Sequence, residues 1–238
     1  MFPFDVIALD ADDTLWQNEP LYQAKRDQFI ALLSAEFSPE QIVAKLDETE
    51  VQNVRWFGFG IKSFTFSMIE TAIALTEGRI SGQEIQKIID FAKDMVNMDV
   101  QLLDSVAETI PALAQQYRLM LITKGDLLDQ ESKLARSGLA EYFQNVEIVS
   151  QKNTASYARI LQRYAIAPER FLMVGNSLPS DVLPVLDLGG SGVHIPFEIT
   201  WVQELVETPP LGRPHFYELE SLGQLPALLD RLMQSQAG

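Results

Sequence analysis

The run Phe4-Asp5-Val6-Ile7-Ala8-Leu9 is almost wholly apolar and stops abruptly at Asp10-Ala11-Asp12-Asp13-Thr14. Near-continuous apolarity, with β-branched residues at Val6 and Ile7, predicts a buried strand. From Trp16 to about residue 103 the pattern becomes helical. Leu21, Tyr22, Phe29, Leu32 and Leu33 recur at helical spacing. Ser38-Pro39-Glu40-Gln41 is a capping box with proline at the first helical position, and it opens a helix through Ile42, Val43 and Leu46. Ile61, Phe64, Met68, Ile69, Ala72 and Ile73 form a third stripe. A second capping box, Ser81-Gly82-Gln83-Glu84, precedes Ile85, Ile88, Ile89, Ala92 and Val96.

From Val106 onward, strands and helices alternate. A helix near 106–116 precedes the strand Arg118–Thr123. A helix near 127–137 ends at Gly138, a left-handed cap. The strand Val146–Val149, a helix near 154–165, the strand Phe171–Gly175, a helix near 180–188 stopped by Gly189-Gly190, and the strand Val193–Ile195 follow. The tail, Pro-rich near 209–214, offers a short strand at Phe216–Leu219 and a last helix carrying Leu222, Leu225, Leu228, Leu229 and Leu232. Such alternation predicts an α/β fold, a doubly wound parallel sheet with helices on both faces, interrupted by a helical insert. The expected division is a core of 1–16 and 104–238 and a helical cap of 17–103.

Composition narrows the partners. The 238 residues, 47% hydrophobic and 21% charged, are those of an ordinary soluble protein. A net charge of −15, from 33 acidic and 18 basic side chains, argues against a nucleic-acid surface. An anionic substrate would need a local positive cluster against that field. Cysteine is absent and His194 and His215 are the only histidines, so thiolate sites, disulfides and multi-histidine metal sites are excluded. There is no apolar run of membrane-span length and no basic region ahead of the first apolar stretch, so no membrane association and a cytoplasmic location are expected.

Each strand of a parallel sheet delivers its carboxyl end to one rim, where chemistry gathers. Asp10 and Asp12 share the parity of one strand face, and two such anions are costly to bury unless a cation joins them. A hard divalent ion such as magnesium is the natural partner, although a polar turn or a structural ion would also account for the motif. Thr123-Lys124-Gly125 offers a hydroxyl and exposed backbone N–H groups suited to phosphate, or simply a strand-to-helix turn. Lys152, just past a strand, either stays in solvent or turns inward to hold a phosphoryl oxygen. Asn176 and Asp181 could supply oxygens to a cation, or Ser180 or Asp181 could cap a helix.

In this order, at successive strand ends, the motifs Asp10-Ala11-Asp12-Asp13-Thr14, Thr123-Lys124-Gly125, Lys152 and Gly175-Asn176-Ser177 with Asp181 resemble those of the haloacid dehalogenase-like hydrolase superfamily over most of residues 4–195. The resemblance implies that Asp10 is the nucleophile, Asp12 the general acid/base, and Thr123 and Lys152 the phosphoryl ligands that steady the nucleophile. It places Thr14, Lys124 and Gly125 with the phosphate, and magnesium (Mg2+) on Asp10, the Asp12 carbonyl, Asn176 and Asp181. Asp12 points to phosphoryl transfer, because dehalogenase members lack an acid/base there. An aspartate commonly stands where this chain has Asn176, which removes one negative charge. The helical insert after the first motif resembles a lid over small soluble phosphates. In it, Arg55 and Lys62 flank Trp56-Phe57-Gly58-Phe59-Gly60-Ile61 and are candidates for substrate contact, or exposed residues beside an aromatic hinge. The implied function is a magnesium-dependent phosphatase hydrolysing a small phosphorylated metabolite through an aspartyl-phosphate. The alternatives are a phosphomutase of the same fold and a non-catalytic binding or regulatory relative. A receiver domain also places acidic residues, Thr and Lys at strand ends, but the large insert fits it poorly.

Overall fold

Strand β1 (Val6–Leu9) is fully buried and lies between β2 (Arg118–Lys124) and β4 (Phe171–Gly175), parallel to both. The computed structural model describes residues 4–199 and 211–235; the Pro-rich stretch near 209–214 falls partly outside them. Six parallel strands, with β3 (Asn145–Val149), β5 (Ser191–His194) and β6 (Phe216–Glu218), form one sheet in the order β3-β2-β1-β4-β5-β6.

Residue parity sorts the central strands into two cores. Ile7, Leu9, Leu119, Leu121, Leu172 and Val174 pack on one face with Val106 and Ile110 of α5 (Val106–Ala114) and Leu225, Leu228 and Leu229 of α9 (Leu225–Ser235). Val6, Ala8, Met120, Ile122, Phe171 and Met173 face the other way. They meet Tyr157, Ile160 and Leu161 of α7 (Thr154–Arg163) and Val185 of α8 (Leu183–Asp187). A strand covered on both faces has no polar side to show, which is why β1 reads as an unbroken apolar run.

The insert comprises α1 (Glu19–Leu33), α2 (Pro39–Phe57), α3 (Ile61–Leu75) and α4 (Gly82–Asn97). Ser38 and Ser81 both form the reciprocal capping boxes that the sequence predicts. Its own core includes Phe29, Leu33, Ile42, Leu46, Phe64, Met68 and Ile88. Ile73 and Val96, placed on apolar stripes by spacing, are exposed at 42% and 43%. Ile73 lies one position off the Phe64–Met68–Ala72 line, where a helix has already turned toward water.

The chain leaves and re-enters the sheet unit side by side. Gln17 N–H donates to the Gln101 carbonyl and Leu103 N–H to the Leu15 carbonyl, each at 2.9 Å. Residues 20–99 and 125–132 make one compact unit, and 1–19, 100–124 and 133–238 the other. The segment Gly125–Ser132 opens α6 (Leu127–Arg136). Within the helical unit, Lys62 Nζ pairs with Asp126 at 2.9 Å.

Most boundaries lie within a residue or two of expectation, and the larger differences fall after β4. The helix near 180–188 is a wide five-residue turn, Leu178–Val182, followed by the short α8. β5 starts and ends earlier than Val193–Ile195, because the glycines that stop α8 lead straight into the sheet at Ser191. β6 ends at Glu218. Among the described residues no helix is long and apolar enough to cross a membrane. Leu9 is fully buried just below the strand's polar end. Leu9→Ala should cost about 2–5 kcal/mol through lost burial and a residual cavity, read as a lower denaturant midpoint.

Candidate active site

The strand order reverses beside β1, with β2 and β3 on one side and β4, β5 and β6 on the other. The carboxyl ends of β1 and β4 therefore bound a crevice, the usual ligand position in open parallel sheets. Asp10 is the first residue past β1, and its N–H still donates to the Val174 carbonyl at 2.9 Å. Its carboxylate thus stands on the last rung of the sheet.

Asp181 arrives from β4 by a tight route. Ser177 caps the wide turn, its side chain accepting from Ser180 N–H at 3.2 Å. The turn carries Asp181 back so that Oδ2 accepts from Ser177 N–H at 3.1 Å. Wide helical turns of this type frequently sit at functional sites. The carboxylate lies over Gly175, where a Cβ would come within 2.2 Å of Oδ2. Glycine is needed here because the space belongs to Asp181. Neither Ser180 nor Asp181 is the helix cap.

Lys152 joins the two carboxylates. It follows β3, two strands from β1, a lateral span of roughly 10 Å. The loop after Val149 and the long lysine stem cover that distance. Its ammonium donates to Asp10 Oδ1 and, at 2.7 Å, to Asp181 Oδ1, with its side chain only 2% exposed. The Thr14 hydroxyl accepts Asn176 N–H at 3.1 Å, and its proton faces both Asp10 Oδ2 and Asn176 Oδ1 at 3.2 Å. His194 Nε2 lies 3.1 Å from the Asn176 carbonyl and Nδ1 lies 3.2 Å from Glu218.

One lysine serves two buried carboxylates, so the cluster is short of positive charge. Burial pushes the Asp10 carboxyl up to about 7, Lys152 draws it down, and Asp181 opposes that. The facing carboxylates hold the Lys152 ammonium above the ordinary lysine range despite its burial. The neighbouring oxygens, from Asp10, Asp181 and the Asn176 side chain, are hard donors that suit a small divalent cation. Among the described residues no three Asp, Glu, His or Cys side chains cluster as a metal site, so such an ion would rest on two carboxylates and neutral oxygens.

Asp12 has partners of its own. The alternation of side chains ends with β1 at Leu9, so parity no longer sets its direction. Its Oδ1 accepts from the Trp16 indole at 2.7 Å, and Lys133 Nζ contacts Oδ1 at 2.8 Å and Oδ2 at 3.0 Å. Asp13 adopts a left-handed φ of 59° and accepts from Asn18 and Glu19 N–H at the start of α1. Burial nevertheless pushes its carboxyl up to about 7.

The other residues singled out from sequence are distributed as follows. Thr123 is 1% exposed at the end of β2, and Lys124 Nζ donates to Ser180 Oγ at 3.1 Å. Gly125 has φ 148°, a left-handed value that favours glycine. Arg55, exposed near the end of α2, and Lys62, paired with Asp126, belong to the helical unit.

Lys133, His194 and Glu218 were not assigned to the site from sequence, and Ser177 was quoted there only as part of the fourth motif, with no role. Lys133 had one legible signal. On α6, Leu127 and Leu128 are exposed at 58% and 69%, whereas Asp129, Gln130 and Lys133 are buried. A helix that turns its polar stripe inward serves something other than packing. His194, Glu218 and Ser177 become neighbours of the cluster only through the β4–β5–β6 pairing and the wide turn.

The pH dependence of stability has a definite sign. Asp10 titrates near 3.8 when unfolded and near 7 when folded, so in metal-free protein its burial costs nothing below pH 4. The cost grows as the pH rises to 7 and is complete above it. Asp10→Asn should therefore raise the melting temperature by several degrees at pH 8 in chelator and leave it nearly unchanged below pH 4. Thermal unfolding at the two pH values checks this.

Comparison with known proteins gives the family of the chain. A family model described as haloacid dehalogenase-like hydrolase matches residues 4–187. A haloacid dehalogenase-like family hydrolase from Xanthomonas campestris has a TM-score of 0.87 and 38% identity, covering 100% of this chain and 94% of that one. The pyrimidine 5'-nucleotidase YjjG of Escherichia coli is 22% identical over 235 residues, 95% of this chain and 98% of its own. Glyceraldehyde 3-phosphate phosphatase of Methanothermobacter thermautotrophicus is 30% identical over 102 residues, 41% of this chain; the match spans only 45% of that relative. With a family match extending from the first strand through the turn that carries Asp181, the chain belongs to the haloacid dehalogenase-like hydrolases.

Proposed function

We propose that the protein is a magnesium-dependent phosphatase that hydrolyses a small soluble phosphomonoester through an aspartyl-phosphate. The observation that carries the reading is the Asp10 carboxylate, fixed at the strand end by Lys152 and Thr14 with Asp181 alongside. Relatives named as a phosphatase and a nucleotidase support the phosphoryl class. The presence of Asp12 supports it over dehalogenation.

In this scheme an Asp10 oxygen bonds to phosphorus while the bond to the leaving oxygen breaks and Asp12 supplies that oxygen with a proton. Water then attacks phosphorus, Asp12 takes its proton, and the acyl–phosphate bond breaks to restore Asp10 and free phosphate. Lys152 offsets charge on the phosphoryl oxygens, with Thr123, Lys124 and Gly125 as further ligands to them. Thr14 acts on the nucleophile's other oxygen. Magnesium, held by Asp10, the Asp12 carbonyl, Asn176 and Asp181, would supply the remaining positive charge when bound. The segment 17–103 is the cap in this reading, with Arg55 and Lys62 as its candidate substrate contacts.

A non-catalytic reading draws on one observation: Asn176 leaves the metal with two carboxylates. Phosphate release from p-nitrophenyl phosphate, with and without magnesium, decides between them. Magnesium-dependent turnover that disappears in Asp10→Asn is expected, and its absence in wild type would favour the binding protein. Asp12→Asn should keep magnesium affinity by calorimetry while turnover falls by about 10²–10⁴-fold. Asn176→Asp should tighten magnesium binding; an unchanged titration would remove Asn176 from the ion's ligands.

A further inference from the structure

The carboxylate of Asp12 lies past the end of β1, where the sheet no longer dictates side-chain direction. It projects from a turn in which Asp13 already takes a left-handed φ of 59°. An acid/base group must nevertheless be aimed closely, because proton transfer requires hydrogen-bond reach of the reacting oxygen. Two contacts supply the aim. The Trp16 indole, on a fully buried side chain, donates to Oδ1 at 2.7 Å. The Lys133 ammonium straddles both oxygens at 2.8 and 3.0 Å and is itself steadied by Asn18 Oδ1 at 3.0 Å.

Lysine is almost never buried unless paired, since its stem normally carries the ammonium out to water. The Lys133 side chain is only 10% exposed and sits in the last turn of α6, close to the surface of a helix whose leucines at 127 and 128 face solvent. The ammonium at its end meets the Asp12 carboxylate. Lys152 and Lys133 divide the motif between them: one holds the nucleophile with Asp181, the other holds the acid/base with Trp16.

We propose that Lys133 is a positioning residue for Asp12, orienting its carboxyl group so that the acid form can pass its proton to the leaving oxygen and the resulting carboxylate can take one from water. The inference rests on the phosphatase reading above and adds a residue that none of the four sequence motifs contains. A positioning residue of this kind acts on the chemistry of the leaving oxygen and leaves substrate capture alone. p-Nitrophenolate departs with little need of a proton, whereas unsubstituted phenolate needs one. Loss of Lys133 should therefore penalise poor leaving groups selectively.

The test compares wild type, Asp12→Asn, Lys133→Met and Lys133→Arg on a series of ring-substituted phenyl phosphates, from p-nitrophenyl to unsubstituted phenyl, with magnesium. The quantity is kcat/KM, which covers only the steps up to leaving-group departure. Lys133→Met should lose about 10-fold or more on phenyl phosphate beyond its loss on p-nitrophenyl phosphate, chiefly in kcat, as a fraction of the general-acid effect. Lys133→Arg, which keeps the charge and the reach, should restore most of it. Equal losses across the series would assign Lys133 a structural role and overturn the proposal, as would wild-type behaviour of Lys133→Met. If Asp12→Asn itself shows no leaving-group dependence, or wild type releases no phosphate, the phosphatase reading fails first and this inference with it.

Discussion

Two carboxylates and one ammonium, all withdrawn from water, set the terms for the rest of the sheet unit. Asp10 and Asp181 reach their places from different strands, and Lys152 touches both. Each group alone would be expensive to bury, and the one lysine offsets the two acids only in part. The sheet must therefore deliver three chain segments to one point with little tolerance. It does so because β1 and β4 are adjacent and in register, and because the turn after β4 folds Asp181 back over a residue with no side chain.

That cluster is incompletely neutralised, and its chemistry follows from the imbalance. With one lysine for two acids, Asp10 is held near the edge of ionisation, pushed up to about 7 by burial and by its acidic neighbour. A carboxylate strained in this way is stabilised by whatever brings positive charge, which describes a divalent ion well. Asn176 in place of a further carboxylate limits how negative the site becomes. Asp12, two residues away, has its own ammonium and an indole donor. Two neighbouring aspartates thus occupy separate electrostatic settings, the usual means by which like groups take unlike roles.

The chain leaves and returns to the sheet unit through two adjacent segments. The exit and return segments hydrogen-bond to one another at Gln17–Gln101 and Leu15–Leu103. Four helices with an apolar core of their own can then be carried between them. This also explains why an insertion of such length left the strand pattern on either side readable.

The fold was written in residues whose local patterns are unambiguous. β1 and β4 have unbroken apolar runs, Ser38 and Ser81 carry full capping boxes, and Gly138 takes the left-handed value, φ 73°, expected of it. The order of the four motifs at successive strand ends likewise pointed to the family and singled out Asp10, Lys152 and Asp181, although each residue taken alone had an ordinary reading as a turn, a solvated lysine or a cap. What sequence could not supply was any contact made across the fold. Whether Lys152 turned inward, that Thr14 serves both Asp10 and Asn176, that His194 lies against the Asn176 carbonyl, and that Lys133 reaches back 121 positions to Asp12 were decided by strand order and helix placement. Hydrophobic periodicity reports which face of a segment is buried. It carries no record of which distant polar group a buried lysine will find, and only the packed structure settles that.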